Sequence, residues 1–182
     1  MEHLIVAAAS IENYIGQADR SIEAMKRWVA AAKEKSAELV LFPELNVNGY
    51  IPAPVAHEIA ETVPGPSTAK IVALAQEADV IIAYGIIERQ GHDLFCTHVL
   101  VNGQGVLGKQ RKIHVPAHEQ PYWKAGDVIE VFDIGKAEEG NDEALIVAEL
   151  DPAELEDRRN HPNFLAQELR SELYQFERGS KE

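Results

Sequence analysis

The apolar run Leu39-Val40-Leu41-Phe42 stops abruptly at Pro43-Glu44. Such a run reads as a buried strand that delivers a lone carboxylate, Glu44, to its C-terminal tip. That tip is where open α/β sheets keep their chemistry. A second cluster, Arg111-Lys112-Ile113-His114-Val115-Pro116, follows another strand-like segment and places Lys112 in a similar strand-to-loop setting. A base and a cationic stabiliser at two strand ends call for a nucleophile.

The surrounding pattern supports an α/β fold. Residues 3–9 read as a first strand. Between Asp19 and Lys35, Ile22, Met25, Val29 and Ala32 share one helical face, opposite Glu23, Lys26, Arg27 and Lys33. Asn46 to Pro54 is a loop by its Asn, Gly and Pro content, with a short helix expected over 54–61. Pro64-Gly65-Pro66-Ser67-Thr68 forms a turn and cap for a helix reaching Glu77. Strands follow over 80–88, 94–101 and 106–112, the last two joined by the hairpin turn Asn102-Gly103-Gln104-Gly105. The order β-α-β-α-β-β-β predicts a mixed sheet with helices on one face. Beyond it, 128–134 reads as strand-like, 135–143 as a charged Gly-containing turn, 144–150 as one more strand, and 152–174 as a helix broken at Pro162.

Charge and length narrow the function. At 182 residues and 46% hydrophobic content, the chain suffices for one domain with a sizeable core. The net charge of −13 makes nucleic acid and anionic membrane poor partners. Residues 136–182 carry 6 Lys and Arg against 13 Asp and Glu, as expected for an exposed tail or solvated helix. No apolar run approaches a bilayer span, and the apolar N-terminal stretch reads as a strand, not a signal peptide. The single cysteine, Cys96, fits a reducing compartment, so a soluble cytoplasmic protein is expected.

Other constellations have plainer readings. Glu44 and Lys112 could be surface charges or a structural ion pair. Glu119 alone is a loop acid. His114 and His118 have an HxxxH spacing that would share a helical face around a metal, but Pro116 between them disfavours a helix. Gly103 to Gly108 matches GxGxxG literally, yet a strand follows it where a dinucleotide site needs a helix. Cys96 sits mid-strand and reads as a small core residue. No metal or cofactor is expected.

In chain order, Phe42-Pro43-Glu44 with Gly49-Tyr50, then Gly108 to Pro116, then Glu119 with Tyr122-Trp123 and Gly126-Asp127, resemble the nitrilase superfamily of carbon–nitrogen hydrolases. The resemblance covers residues 1–135 almost continuously. It implies a single nitrilase-like domain over 1–182, an αββα sandwich with mixed β-sheets that dimerises through its helical layer. It also implies hydrolysis of a small amide, carbamoyl or nitrile compound through a cysteine thioester, with release of ammonia. Glu44 would be the general base, Lys112 the oxyanion stabiliser, and Glu119 the auxiliary acid that positions Lys112 and the substrate. Phe-Pro-Glu-Leu with Gly-Tyr resembles the amidase and carbamoyl-amide branches more than the true nitrilases.

One element of the family pattern is missing. The nucleophilic cysteine of the superfamily ends a strand shortly after the Gly-Asp region; here Ala144 to Pro152 falls at that distance and contains no cysteine. That segment resembles the family's C-terminal strand instead. Cys96 aligns with a hairpin position where the family often has Asn. The simplest expectation is an incomplete fold with an internal excision near 135–143 and little or no turnover, or else a non-catalytic homologue acting as an oligomerisation or interaction module.

Overall fold

The computed structural model describes residues 4–132 and Ile134. The chain divides into two units, Met1–Glu139 and Gly140–Glu182, and every described residue lies in the first. The seam expected near 135–143, the strand over 144–150 and the helix beyond it lie outside the described residues.

One mixed sheet organises this unit. Strands β1 (Val6–Ala8), β2 (Leu39–Leu41), β3 (Ile81–Gln90), β4 (Asp93–Asn102) and β5 (Gly105–Arg111) stand side by side in chain order. The first three run parallel, and β3, β4 and β5 form an antiparallel meander. Helix α1 (Ala18–Glu34) links β1 to β2; the short α2 (Ala56–Ile59) and α3 (Pro66–Ala78) lie between β2 and β3. The expected element order is present, with β1 and β2 each shortened to three residues.

Local chemistry explains the helices. In α1, Ile22, Met25, Val29 and Ala32 are all buried, as their spacing predicts, and Ser36 just past the end takes a left-handed φ of 61°. Helix α3 starts at Pro66, which loses nothing there because the first turn's N–H groups lack helical partners. Its side-chain cap comes from upstream: Glu61 accepts from the Ser67 backbone N–H at 2.8 Å and from the Ser67 hydroxyl at 2.6 Å. Asp79 ends it with a left-handed φ of 49°.

Alternation along the strands separates two faces. Val40, Ile82, Tyr84, Ile86, Val99 and Val101 face α1 and α3 and pack on Met25, Val29, Ile71 and Leu74. Burying each such side chain contributes roughly 1.5–3 kcal/mol, so this layer dominates stability. On the other face Leu45, Ile87, Leu94, Cys96, Val115 and Trp123 form a second, smaller cluster. Toward β1 that face is bare, with Val6 49% and Leu41 41% exposed.

The strand-like reading of 128–134 is corrected. Residues 128–132 form no strand, and Val128, Ile129 and Val131 are exposed. The Gln110 side chain holds this segment beside β5, donating to the Val128 carbonyl at 2.7 Å and accepting from the Glu130 N–H at 3.4 Å. Side-chain contacts of this kind replace the ladder that would define a strand. The literal GxGxxG lies on the hairpin and β5, with no helix opening there. Among the described residues, no helix is long and apolar enough to cross a membrane.

Candidate active site

Glu44 stands just past the carboxyl end of β2, alongside the middle of the longer β3. The Phe42 N–H still pairs with Ala83 of β3 at 2.8 Å; then the chain turns, with the Asn46 and Gly49 N–H groups bonded to Pro43 and Leu45. Leu45 is wholly buried with a left-handed φ of 51°, a conformation costing a β-carbon residue roughly 1–2 kcal/mol. The turn is then sewn to β3 by side chains. Asn46 Oδ1 accepts from the Gly85 N–H and Asn48 Oδ1 from the Ile87 N–H, both at 2.9 Å. The Asn48 amide also donates to the Ile59 carbonyl at 2.8 Å. Alternate asparagines thus satisfy alternate β3 donors where strand β2 has ended.

Lys112 follows β5 directly and is pinned on both sides. Its N–H bonds the Cys96 carbonyl at 2.8 Å, and its own carbonyl accepts from Gly126 at 2.8 Å. Glu119 sits in a tight turn, its N–H on the Pro116 carbonyl and its carbonyl accepting from Tyr122 and Trp123. Buried Trp123 seats that turn on the second cluster.

The three residues meet. Lys112 Nζ lies 3.3 Å from Glu44 Oε1 and 3.0 Å from Glu119 Oε2. Glu119 is 4% exposed, while the Glu44 side chain is 49% exposed. Burial alone would lower the Lys112 pKa, but the Glu119 hydrogen bond and the Glu44 charge outweigh it and the net shift is upward. Lys112 is therefore an ammonium at neutral pH, fit to stabilise a developing oxyanion and unfit to act as a base. Glu44, half open to solvent, is the member of the cluster that an incoming molecule can reach.

Four further side chains crowd this cluster. Cys96 is the cross-strand neighbour of Lys112, its backbone carbonyl accepting from the Lys112 N–H. Burial pushes that thiol up; Glu44 adds to the rise and Lys112 opposes it. It is a buried neutral thiol whose pKa responds to Glu44 and Lys112, so reading it as a small core residue captured its burial and missed its neighbours. His98, two residues along the same face, has its buried Nε2 without a partner among the described residues. Burial lowers its pKa, against the pull of Glu44. The Tyr50 hydroxyl donates to Glu119 Oε1 at 2.8 Å, and His118 Nε2 lies 3.3 Å from that hydroxyl. The period-2 register Leu94, Cys96, His98 was the available signal for the first two; nothing local in the sequence points Tyr50 at a residue 69 positions away. Among the described residues, no group of three or more His, Cys, Asp or Glu is placed to hold a metal ion.

Comparisons with known proteins place the chain in a family. Residues 5–155 match the carbon–nitrogen hydrolase family. Nitrilase 2 of Arabidopsis thaliana is 32% identical over 155 residues, covering 72% of this chain and 45% of that protein. A nitrilase of Pyrococcus abyssi is 31% identical over 134 residues, covering 71% of this chain and 51% of that protein. The chain thus spans about half the length, or less, of the curated relatives it matches. The crystal structure of an amidase from Nesterenkonia sp. shares the fold with a TM-score of 0.62 at 18% identity, over 69% of this chain and 49% of that one. By the family match and these relatives, the chain belongs to the carbon–nitrogen hydrolases of the nitrilase superfamily.

Proposed function

We propose that the described residues form the acid–base half of a carbon–nitrogen hydrolase site for a small amide, carbamoyl or nitrile compound. Glu44 is the general base, Lys112 the oxyanion stabiliser, and Glu119 the acid that positions Lys112. The observation that carries this is the Lys112 ammonium held between Glu44 and Glu119 at 3.3 and 3.0 Å. In the complete reaction a cysteine thiol attacks the amide carbon while Glu44 takes its proton. Lys112 stabilises the negative charge that develops on the former carbonyl oxygen. Ammonia leaves with a proton returned from Glu44, and a water activated by the same carboxylate hydrolyses the thioester. Relatives named as nitrilases and bifunctional nitrilase/nitrile hydratases extend the candidate substrates to nitriles. One solved amidase carries acrylamide added at its active-site cysteine, which supports a thiol as the attacking group.

This sequence supplies only Cys96, which is buried and neutral. The chain is therefore expected to bind small amides weakly and to release no ammonia above background. Saturation-transfer NMR with millimolar butyramide and butyronitrile tests the binding. Contact should be lost, or weakened at least tenfold, in Lys112→Ala and Glu44→Ala; contact indifferent to both substitutions would sink the reading. Clear turnover that disappears in Cys96→Ala would overturn the assignment of Cys96.

A second reading, an interaction module that assembles without catalysis, draws on the bare apolar sheet face at Val6 and Leu41. Homo-oligomers are its expectation. Light scattering that finds a stable, well-folded monomer counts against it.

A further inference from the structure

Glu119 is buried, yet both of its oxygens are engaged, and from two distant segments. Lys112 Nζ donates to Oε2 at 3.0 Å; the Tyr50 hydroxyl donates to Oε1 at 2.8 Å. We propose that Tyr50 is a positioning residue, its hydroxyl fixing the orientation of the Glu119 carboxylate so that Oε2 stays on the Lys112 ammonium. The proposal rests on the hydrolase reading only in taking the placement of Lys112 as what matters.

The geometry makes Tyr50 a rigid support. Gly49 has φ +89°, and a Cβ there would lie 2.7 Å from the Ile15 Cα, so the backbone entering Tyr50 runs directly against another segment. One residue earlier, Asn48 is bonded to both Ile87 and Ile59. The phenol therefore approaches Glu119 from a backbone tied to β3 and α2, while Lys112 approaches from the end of β5. A carboxylate held by one donor can swing about its terminal torsion; two donors from different directions remove that freedom. His118 completes the order, since its Nε2–H can donate to the same hydroxyl that donates to Glu119. At 3.8 Å from Oε1, His118 is too far to replace Tyr50. Burial and the Glu119 hydrogen bond push the Tyr50 phenol up to about 12, so it stays a donor throughout the working pH range.

Lys112 reports on this directly, because the Glu119 bond is a main reason its amine stays protonated. Competitive acetylation of the whole chain with trace acetic anhydride between pH 8 and 10, read by mass spectrometry against exposed Lys35, measures the available free amine. Tyr50→Phe should raise Lys112 labelling at least threefold, with the circular dichroism unchanged, and Tyr122→Phe should not. Glu119→Gln should raise it as much or more, and adding Tyr50→Phe to Glu119→Gln should change nothing further. Unchanged labelling in Tyr50→Phe, or an effect that simply adds to that of Glu119→Gln, overturns the proposal. Should Tyr50→Phe not fold, nitration of Tyr50 by tetranitromethane gives a second reading. It should be at least threefold faster in Glu119→Gln than in the native chain, and an equal rate refutes the pairing. Amine labelling and nitration read this contact whether or not the chain binds or turns over an amide, so its failure and the failure of the hydrolase reading are separable.

Discussion

Gly85 lies in backbone contact with the turn that carries Glu44. A Cβ at Gly85 would sit 2.8 Å from the Glu44 carbonyl carbon and 2.2 Å from the Leu45 nitrogen. Both atoms are backbone, and the turn they belong to is already bonded to β3 through Asn46, so neither can move aside cheaply. Gly85→Ala should therefore lift the Glu44 turn off β3. The expected cost is about 1–3 kcal/mol, as for other forced overpacking. Urea denaturation with an unchanged m-value measures it, together with the butyramide contact, which should vanish. A loss below about 0.5 kcal/mol, within the ordinary range for surface changes, would contradict the close approach.

Asn48 gives a second test of the same turn. Its side chain serves two backbone groups, the Ile87 N–H and the Ile59 carbonyl, and the residue is buried. Asn48→Ala strands a donor and an acceptor away from water, at about 1–3 kcal/mol for each unsatisfied group. Asn102, which caps an exposed hairpin turn, should cost less when replaced by Ala because water can take over its bonds. Equal losses in the two variants would mean that Asn48 is not buried as described.

Much of this was legible in the sequence because burial and charge leave regular marks. The α1 face at Ile22, Met25, Val29 and Ala32 followed from spacing alone, since a solvent-facing helix must segregate its apolar residues. Glu44 and Lys112 were legible as strand-tip charges after apolar or β-prone runs. Their meeting was not, because Lys112 reaches Glu44 only through the β3-β4-β5 meander, and register is set by long-range pairing. Asn46 and Asn48 read as loop composition, although the Asn-x-Asn alternation directly after a strand is what side-chain mimicry of a ladder requires. Residues 128–132 misled for the opposite reason: they run beside β5 with β-branched content, yet the Gln110 side chain takes their backbone groups where a strand would need a ladder.

Glu88 predicts how stability responds to acid. It is buried on β3 and accepts from Thr97 at 2.8 Å, from Lys109 at 2.5 Å and from Arg111 at 2.9 and 2.6 Å. Burial would raise its carboxyl, but the bonds from Arg111, Lys109 and Thr97 outweigh it and lower it to about 2. A carboxyl lowered on folding contributes stability that is fully present above its unfolded pKa and lost as pH falls through the folded one. The loss should run from about pH 5 down to about pH 2, and amount to on the order of 3 kcal/mol. Glu88→Gln should be less stable at pH 7 and show a flatter acid profile. Parallel profiles for the two proteins would show that another group controls acid unfolding.

Cys96 decides whether this chain can supply its own nucleophile. Its thiol is buried and its pKa is raised, so the folded protein should be labelled by iodoacetamide at pH 7.5 at least 100-fold more slowly than the urea-unfolded chain. The same shift has a sign in stability. Above about pH 9 the unfolded thiol ionises while the folded one stays protonated, so the unfolded state binds fewer protons and stability falls as pH rises. Cys96→Ala should remove that part of the alkaline loss and leave the acid limb alone. Thermal denaturation between pH 7 and 10.5 reads the difference between the two proteins. Rapid alkylation of the folded chain, slowed in Glu44→Gln, would show instead that Glu44 already activates this thiol, and Cys96 would then be the attacking group of the site.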